Sequence, residues 1–461
     1  MEDDVAVAAT LGMSLMAVDR SDRMADAVPA RKFVGERSGR YPCREKNLDG
    51  WASVKHQVIR LGMILAALQF AGEACRAQSR AADELFPRGS LFPCAAYSVG
   101  SGPVLQGNAD LLRFRPSGFN LLGPQYGLNQ TVLQDAKAYG LRAIYTVGGD
   151  VDFLKEKGLP KPVDELAAEV TAQVSKVAPD RTIAWWYLAQ EELRTWRRDE
   201  MLYLEKITEA IRKADPLRRP ILMYDAGHRS SAEMALTGRY LDFAAKGSYV
   251  NYSGNVDRRA WLAASMQQEV EAARHAPRKL TPLLILEMFQ NAPAGRKGQI
   301  GRWVRHDVVR GLIEGASGLL VFSFARRNNF EDYEAYFSAY TTITPILCGA
   351  GELGKALLLG ENIPTAIVDL PDGIKDVAIE AFGKTTSVPA VGLRTVRYRD
   401  AVYVLLANST AKEISGSLKG LPVEEPVWSM TIPPTRPESL KKAHFVLGPW
   451  GTLVAKATLP K

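Results

Sequence analysis

The run Ile183-Ala-Trp-Trp-Tyr-Leu-Ala-Gln-Glu-Glu192 decides the fold. Its apolar residues fill consecutive positions, so both faces of a short strand must be covered, as they are in a parallel sheet. The run then breaks off in carboxylates. A second run of the same kind, Pro282-Leu-Leu-Ile-Leu-Glu-Met-Phe-Gln290, places Glu287 at its C-terminal end. A carboxylate closing a strand buried on both sides is not ordinary surface charge, and two of them supply a pair for acid/base work.

Working outward, strand-like runs occur at Cys94–Val99, Asn120–Gly123, Arg142–Val147, Ala184–Ala189, Ile221–Tyr224, Ser248–Tyr252, Leu283–Met288 and Gly318–Phe324, eight in all. Helical periodicity lies between them. Val163, Leu166, Val170, Val174 and Val177 form one stripe after Pro162, and Met201, Leu204, Ile207 and Ile211 form another after a predicted N-cap at Asp199. Leu262, Met266 and Val270 mark a third, and Val304, Val308 and Leu312 a fourth. Eight strands alternating with helices predict a (β/α)8 barrel, an α/β TIM barrel over residues 90–348. The open doubly wound alternative lacks its Gly-rich first turn, since Ser98-Val-Gly-Ser-Gly-Pro103 matches it poorly.

Beyond Cys348 the texture changes. Alternating runs at Thr365–Leu370, Val377–Ala381, Leu393–Tyr398, Val402–Ala407 and Ile414–Leu418 are separated by Asp-Gly, Arg-Asp and Asn-Ser turns, which predicts a C-terminal all-β sandwich over 355–461.

At the front, Lys55 and Arg60 precede the apolar run Leu61-Gly-Met-Ile-Leu-Ala-Ala-Leu68, and Cys75-Arg-Ala77 has the small-x-small form of a cleavage site. Residues 54–77 therefore read as a secretory signal peptide, its apolar stretch too short for a comfortable membrane span. It lies behind polar residues 1–53, which read as an extension outside the native protein, with Val54 as the true start (a GTG codon in a bacterium). An exported periplasmic or extracellular protein with no stable membrane insertion after cleavage is the expectation. A short helix within an unusual extension is the alternative.

The 461 residues carry a net charge of +7, with 46% hydrophobic and 24% charged residues, an ordinary globular composition. The positive excess is spread without a basic tract, so no nucleic-acid partner is expected. Cys94 and Cys348 would survive cleavage; they could pair or remain buried thiols, and their spacing suits no metal.

In a barrel of this type the strand C-termini and the loops after them form the active face. The side chains collected there are Tyr97, Gln125, Tyr126, Tyr145, Gln190, Glu191, Glu192, Asp225, His228, Asn251, Tyr252, Glu287, Gln290, Phe324 and Arg326. Aromatic faces stack on pyranose rings while amides and carboxylates hydrogen-bond hydroxyls, so the set suits a carbohydrate substrate. It suits a hydrolytic metal poorly, because His228 and His306 lack partners at ligand spacing. No metal and no cofactor is expected, for no P-loop or Gly-rich cradle is present. A Schiff-base enzyme would need a Lys at a strand end, and none closes the eight runs above.

A Glu preceded by an amide at the end of strand four, with a second Glu at the end of strand seven, resembles the (β/α)8 glycoside hydrolases of the superfamily often called clan A. The resemblance covers the barrel as a pattern of strand ends. It implies a retaining hydrolase in which Glu191 is the acid/base, Glu287 the nucleophile and Tyr252 the strand-six Tyr that contacts the nucleophile. A trailing β-sandwich is a frequent companion in that group. Three departures stand out: Gln190 where Asn is usual, Phe324 where strand eight often has Trp, and Gln125 where strand two often has Arg. Two other readings remain beside this one: Glu191 or Glu192 as a cap on the next helix, and a catalytically inactive barrel that binds carbohydrate or assists polysaccharide export.

Overall fold

A computed structural model describes residues 84–97, 109–125, 131–148, 151–153, 158–349, 352–370, 375–423, 426–432 and 437–459. The expected extension, the expected signal peptide and Tyr126 lie outside them. The chain divides into two units, Met1–Gln69 and Phe70–Lys461, and the description that follows belongs to the second.

Parallel strands β1 (Cys94–Ala96), β2 (Leu121–Leu122), β3 (Arg142–Val147), β4 (Ile183–Leu188), β5 (Ile221–Met223), β8 (Leu284–Glu287) and β9 (Leu319–Phe322) form one sheet in the order β5-β4-β3-β2-β1-β9-β8. The gap between β5 and β8 is filled by β6 (Phe243–Ala244) paired with β7 (Thr281–Pro282). Only Leu283 separates β7 from β8, so the two act as one barrel strand. The ring then closes through Asp225 N–H to Ala245 O (2.8 Å), Leu283 N–H to Ala244 O (2.9 Å) and Ser248 N–H to Ile285 O (2.9 Å). Eight parallel staves make the TIM barrel that the alternation predicts.

One expected strand is misplaced. Ser248–Tyr252 forms the loop after strand six, and the strand itself lies earlier, around Phe243–Ala244. Lys246 and Gly247 interrupt the apolar pattern there and hide it.

The helices are α1 (Ala109–Phe114), α2 (Val132–Ala138), α3 (Val163–Val177), α4 (Arg198–Ala214), α5 (Ser231–Thr237), α6 (Trp261–His275), α7 (Ile300–Glu314), α8 (Tyr333–Thr341), α9 (Thr344–Cys348) and α10 (Leu353–Leu359). In α4 the buried face contains Leu204, Ile207 and Ile211, as the stripe requires, but the N-cap is Arg197. Asp199 instead sits in the first turn, where its charge meets the positive end of the helix.

Strand alternation separates two cores. Leu121, Ile144, Trp185, Tyr187, Leu222, Phe243, Ile285 and Leu320 fill the barrel lumen. Their neighbours Ile183, Trp186, Leu188, Ile221 and Met223 pack with α3 and α4. Both tryptophans of the opening run are therefore core residues; the Nε1–H of Trp186 donates to buried Asp215 (2.9 Å).

The C-terminal region has a five-stranded antiparallel sheet and a four-stranded one. The first is ordered β10 (Glu361–Asn362), β14 (Val391–Tyr398), β15 (Ala401–Asn408), β20 (Thr452–Thr458) and β17 (Ser429–Ile432). The second is ordered β11 (Ile367–Asp369), β16 (Ile414–Lys419), β19 (His444–Leu447) and β18 (Ser439–Lys441). Val402, Val404 and Leu406 of β15 meet Leu418, Phe445 and Leu447 of the second sheet, which makes a sandwich. The alternate residues Ala401, Tyr403, Leu405 and Ala407 join the core built on α7 and α10. Burial on both faces explains why β15 is wholly apolar up to Asn408. A separate hairpin of β12 (Asp376–Ala381) and β13 (Lys384–Pro389) reaches α6, where Phe382 meets Trp261 with ring centres 5.6 Å apart.

Candidate active site

Glu287 is the last residue of β8 and shares the lumen-facing parity of Leu283 and Ile285. Its carboxyl is buried and its oxygens are held by the loop after strand six. Oε1 accepts the N–H of Asn251 (2.6 Å), while Oε2 accepts the N–H of Tyr252 (2.9 Å) and, more weakly, Nε2 of Gln290 (3.4 Å). Burial pushes its pKa up to about 7, against the two backbone N–H groups and the Arg259 charge that pull it down.

Glu191 lies just beyond β4, half-buried, three staves from Glu287 around the ring. Burial, and next the charge of Glu192, push its pKa up to about 7; Asp152 adds to this and Arg229 opposes it. The loop that carries it is pinned from behind. Arg229, buried and paired with Asp225, donates to the backbone carbonyls of Glu191 (2.9 Å) and Leu193.

The mouth of the barrel is aromatic. The Oη atoms of Tyr97 and Tyr187 are 3.0 Å apart, and the ring of Tyr97 meets Phe322 edge-on at 4.8 Å. Phe322 stacks on Tyr249 at 5.7 Å. Tyr224 joins the layer beside Tyr249, and Gly247 lets both lie against the backbone: a Cβ there would stand 2.2 Å from the Tyr224 Oη and 2.7 Å from the Tyr249 ring. The charge of Glu191 reaches Tyr97 and Tyr224, which ties the acidic loop to this layer.

The remaining expected site residues scatter. Gln190 is buried, its Nε2 donating to the carbonyls of Gly148 and Val151 so that the loops after β3 and β4 are fastened together. Its Oε1 has no hydrogen-bond partner. Gln125, three residues past β2, likewise has its Oε1 unpartnered. Tyr145 faces the helices, edge-on to Trp186 at 6.1 Å, and Asp225 also faces outward, paired with Arg229. His228 is exposed on the turn after β5. Tyr252 touches Glu287 through its backbone only; its ring, 57% exposed, leans on Phe289 at 5.4 Å. Phe324 is packed among Phe114 and Phe119 in the helix-side core, so the aromatic at the lumen end of strand eight is Phe322. Arg326 pairs with Asp110 and Glu334, away from any carboxyl of the mouth.

Tyr187, Tyr224, Tyr249 and Phe322 were not anticipated. Three of them follow from the two-residue period, since 187, 224 and 322 continue the lumen parity of Trp185, Leu222 and Leu320. Tyr249 was lost with the misplaced strand six. The true strand six is followed by Lys246, a Lys at a strand end after all. Its ammonium leaves the lumen for the helix side, where it donates to Arg229 O (3.2 Å) and lies 3.9 Å from the Phe382 ring centre, so it cannot meet a carbonyl substrate in the mouth. No group of three or more His, Cys, Asp or Glu among the described residues is arranged to hold a metal, and no single described helix is long and apolar enough to cross a membrane. Cys94 and Cys348 are free thiols, Cys94 buried.

No protein-family model matches the sequence, and a comparison with curated proteins finds no match. Solved structures of similar fold include an α-amylase from Geobacillus thermoleovorans complexed with acarbose (12% identity, 80% of this chain and 98% of that one, TM-score 0.49). A β-L-arabinopyranosidase from Geobacillus stearothermophilus is similar at 10% identity over 80% and 96% of the two chains, TM-score 0.47. A glycoside hydrolase family 30 xylanase from Clostridium acetobutylicum is similar at 10% identity over 80% and 96%, TM-score 0.44. The barrel assignment rests on the chain's own ladders and closing hydrogen bonds.

Proposed function

We propose that the protein is an exported glycoside hydrolase that cleaves a polysaccharide or oligosaccharide by double displacement with retention. The observation that carries this reading is two carboxyls, each raised to about 7, on separate staves of one aromatic-lined barrel mouth. Glu287 attacks the anomeric carbon. Its two backbone N–H bonds hold the carboxylate in one orientation, and loss of a proton readies it. Glu191, kept protonated near neutrality, gives its proton to the leaving oxygen and then takes one from the attacking water. Glu192 is the reserve acid. Tyr224, Tyr249 and Phe322, half-buried at the mouth, offer ring faces and the two tyrosines hydroxyls to the sugar, above a floor that includes the buried Tyr97 and Tyr187.

One observation favours the catalytically inactive barrel as a second reading: both oxygens of Glu287 already accept protein N–H groups, as those of a loop-fastening carboxylate would. A panel of polysaccharides and aryl glycosides, incubated with the protein and with Glu287→Gln, separates the two. Turnover by the parent that vanishes in a folded Glu287→Gln supports hydrolysis. Glycan binding without turnover in either protein supports the binding module.

A further inference from the structure

Behind Glu287 a buried polar chain runs out of the barrel into the sandwich. Asn251, whose N–H holds Glu287, accepts at Oδ1 from Nη1 of Arg259 (2.8 Å) and donates from Nδ2 to the Tyr336 hydroxyl (2.9 Å). Arg259 turns its Nε (3.0 Å) and Nη2 to the two oxygens of Asp307 on α7. Asp307 also faces Nδ1 of His306 (2.9 Å), and Nε2 of His306 faces the Oγ of Ser409 (3.1 Å), the residue that follows β15. Arg310 donates to the same Oγ (3.2 Å).

These roles fit only one direction of donation. Carboxylate Asp307 can only accept, so His306 presents Nδ1–H to it; burial lowers the His306 pKa and keeps the ring neutral, which leaves Nε2 a bare acceptor, so Ser409 donates to Nε2 while accepting from Arg310. Ser409, His306 and Asp307 have the composition of a hydrolytic triad. All three are buried, as are Arg259 and Arg310 beside them, so no substrate carbonyl reaches the serine. The chain has another use. Each member is satisfied, and a fully satisfied buried network holds its members in one geometry.

We propose that Ser409, His306, Asp307 and Arg259 are positioning residues for Glu287, so that the sandwich is a working part of the barrel's active face. The inference rests on the reading of Glu287 as the nucleophile for its catalytic meaning, but the physical link stands apart from it. The charged and titratable groups facing Glu287 are Arg259, Asp307, Tyr336 and Tyr340, the last of which donates to the Glu287 carbonyl (2.9 Å). Of these, Arg259 and Asp307 carry opposite charges whose balance the relay sets.

The test uses the full chain with Asp307→Asn and Ser409→Ala. Carboxyl carbon NMR, with the Glu287 signal identified by its loss in Glu287→Gln, reads the titration directly and requires no substrate. Asp307→Asn removes a negative charge and leaves Arg259 unopposed, so Glu287 should titrate lower by about one pH unit. Ser409→Ala, which removes no charge and acts only through His306, should move it by less but by more than about 0.2 pH units, and the acid limb of kcat/KM should follow in both. A packing role alone would lower the melting temperature and leave the Glu287 titration within about 0.2 pH units of the parent, which overturns the proposal. Should Asp307→Asn fail to fold, Ser409→Ala decides. A moved titration in a protein inactive on every glycan would uphold the relay and sink the hydrolase reading; an active enzyme with an unmoved titration would do the reverse.

Discussion

Glu287 and Glu191 are both raised to about 7 chiefly by burial, but their surroundings differ, and the difference predicts different mutants. Glu287 is enclosed by protein and tied by backbone N–H groups, whereas Glu191 is half-buried beside Glu192 and Asp152. Under the proposed mechanism Glu287 must be ionised and Glu191 protonated, so kcat/KM should be bell-shaped with both limbs close to pH 7. Glu191→Gln should retain glycosylation by substrates with good leaving groups, and azide should restore turnover by standing in for the water that Glu191 no longer activates. Azide-insensitive losses that track melting temperature would make Glu191 a structural carboxylate. Stability carries a sign as well. A carboxyl raised in the folded state binds its proton more tightly there than in the unfolded chain, so its contribution is fully present below about pH 4.5 and is lost as pH rises through about 7. Urea unfolding at pH 5 and pH 8 should therefore show Glu287→Gln gaining on the parent as pH rises, and a constant difference would contradict the raised value.

At the scale of the element, the strand ends of the sequence were readable where period and burial agreed. Ile183–Leu188 and residues 284–286 are continuous apolar runs, so their positions, their parallel pairing and the carboxyl at or just beyond the end of each follow from local pattern. Strand six was not readable. Its Lys246 is buried through a ring contact with Phe382, well over a hundred residues away, and no local pattern records that partner. Side-chain direction beyond a strand end was equally hidden: Gln190 has the type of a sugar-binding amide, yet the carbonyls of another loop claim it. The loop after strand six depends on Gly247, because a side chain there meets Tyr224 and Tyr249. Gly247→Ala should push Tyr249 out of its stack on Phe322 and weaken ligand binding at least about tenfold while the protein stays folded, as a shift of about an ångström in positioning groups commonly does. Unchanged affinity, measured by calorimetry with the best ligand of the panel, would remove the aromatic layer from the site.

At the scale of the whole molecule, the barrel and the sandwich meet across a largely apolar seam. Ala401, Tyr403, Leu405 and Ala407 press on the barrel helices, Trp303 meets Trp450 at 6.4 Å, and Arg394 donates to the carbonyls of Leu312 (2.8 Å) and Leu357 (3.0 Å). Deleting the chain after Gly354 would expose that apolar face and leave His306 and Arg310 without Ser409, so the truncated protein should be insoluble or melt far below the parent. A soluble, fully active barrel would show the sandwich to be an independent module. The sandwich itself was legible from alternation and turn pairs; its docking was not, because each residue of the seam is apolar or polar for a partner remote in sequence.

The central claim, that Glu287 is the nucleophile of a retaining glycosidase, is tested most directly by trapping. Incubation with a set of 2-deoxy-2-fluoro glycosides carrying good leaving groups, followed by peptide mapping, should find one sugar per chain esterified to Glu287, and Glu191→Gln should accumulate the same adduct. A sugar on Glu191 or Glu192, or hydrolysis of a true substrate with inversion and no adduct, would contradict it.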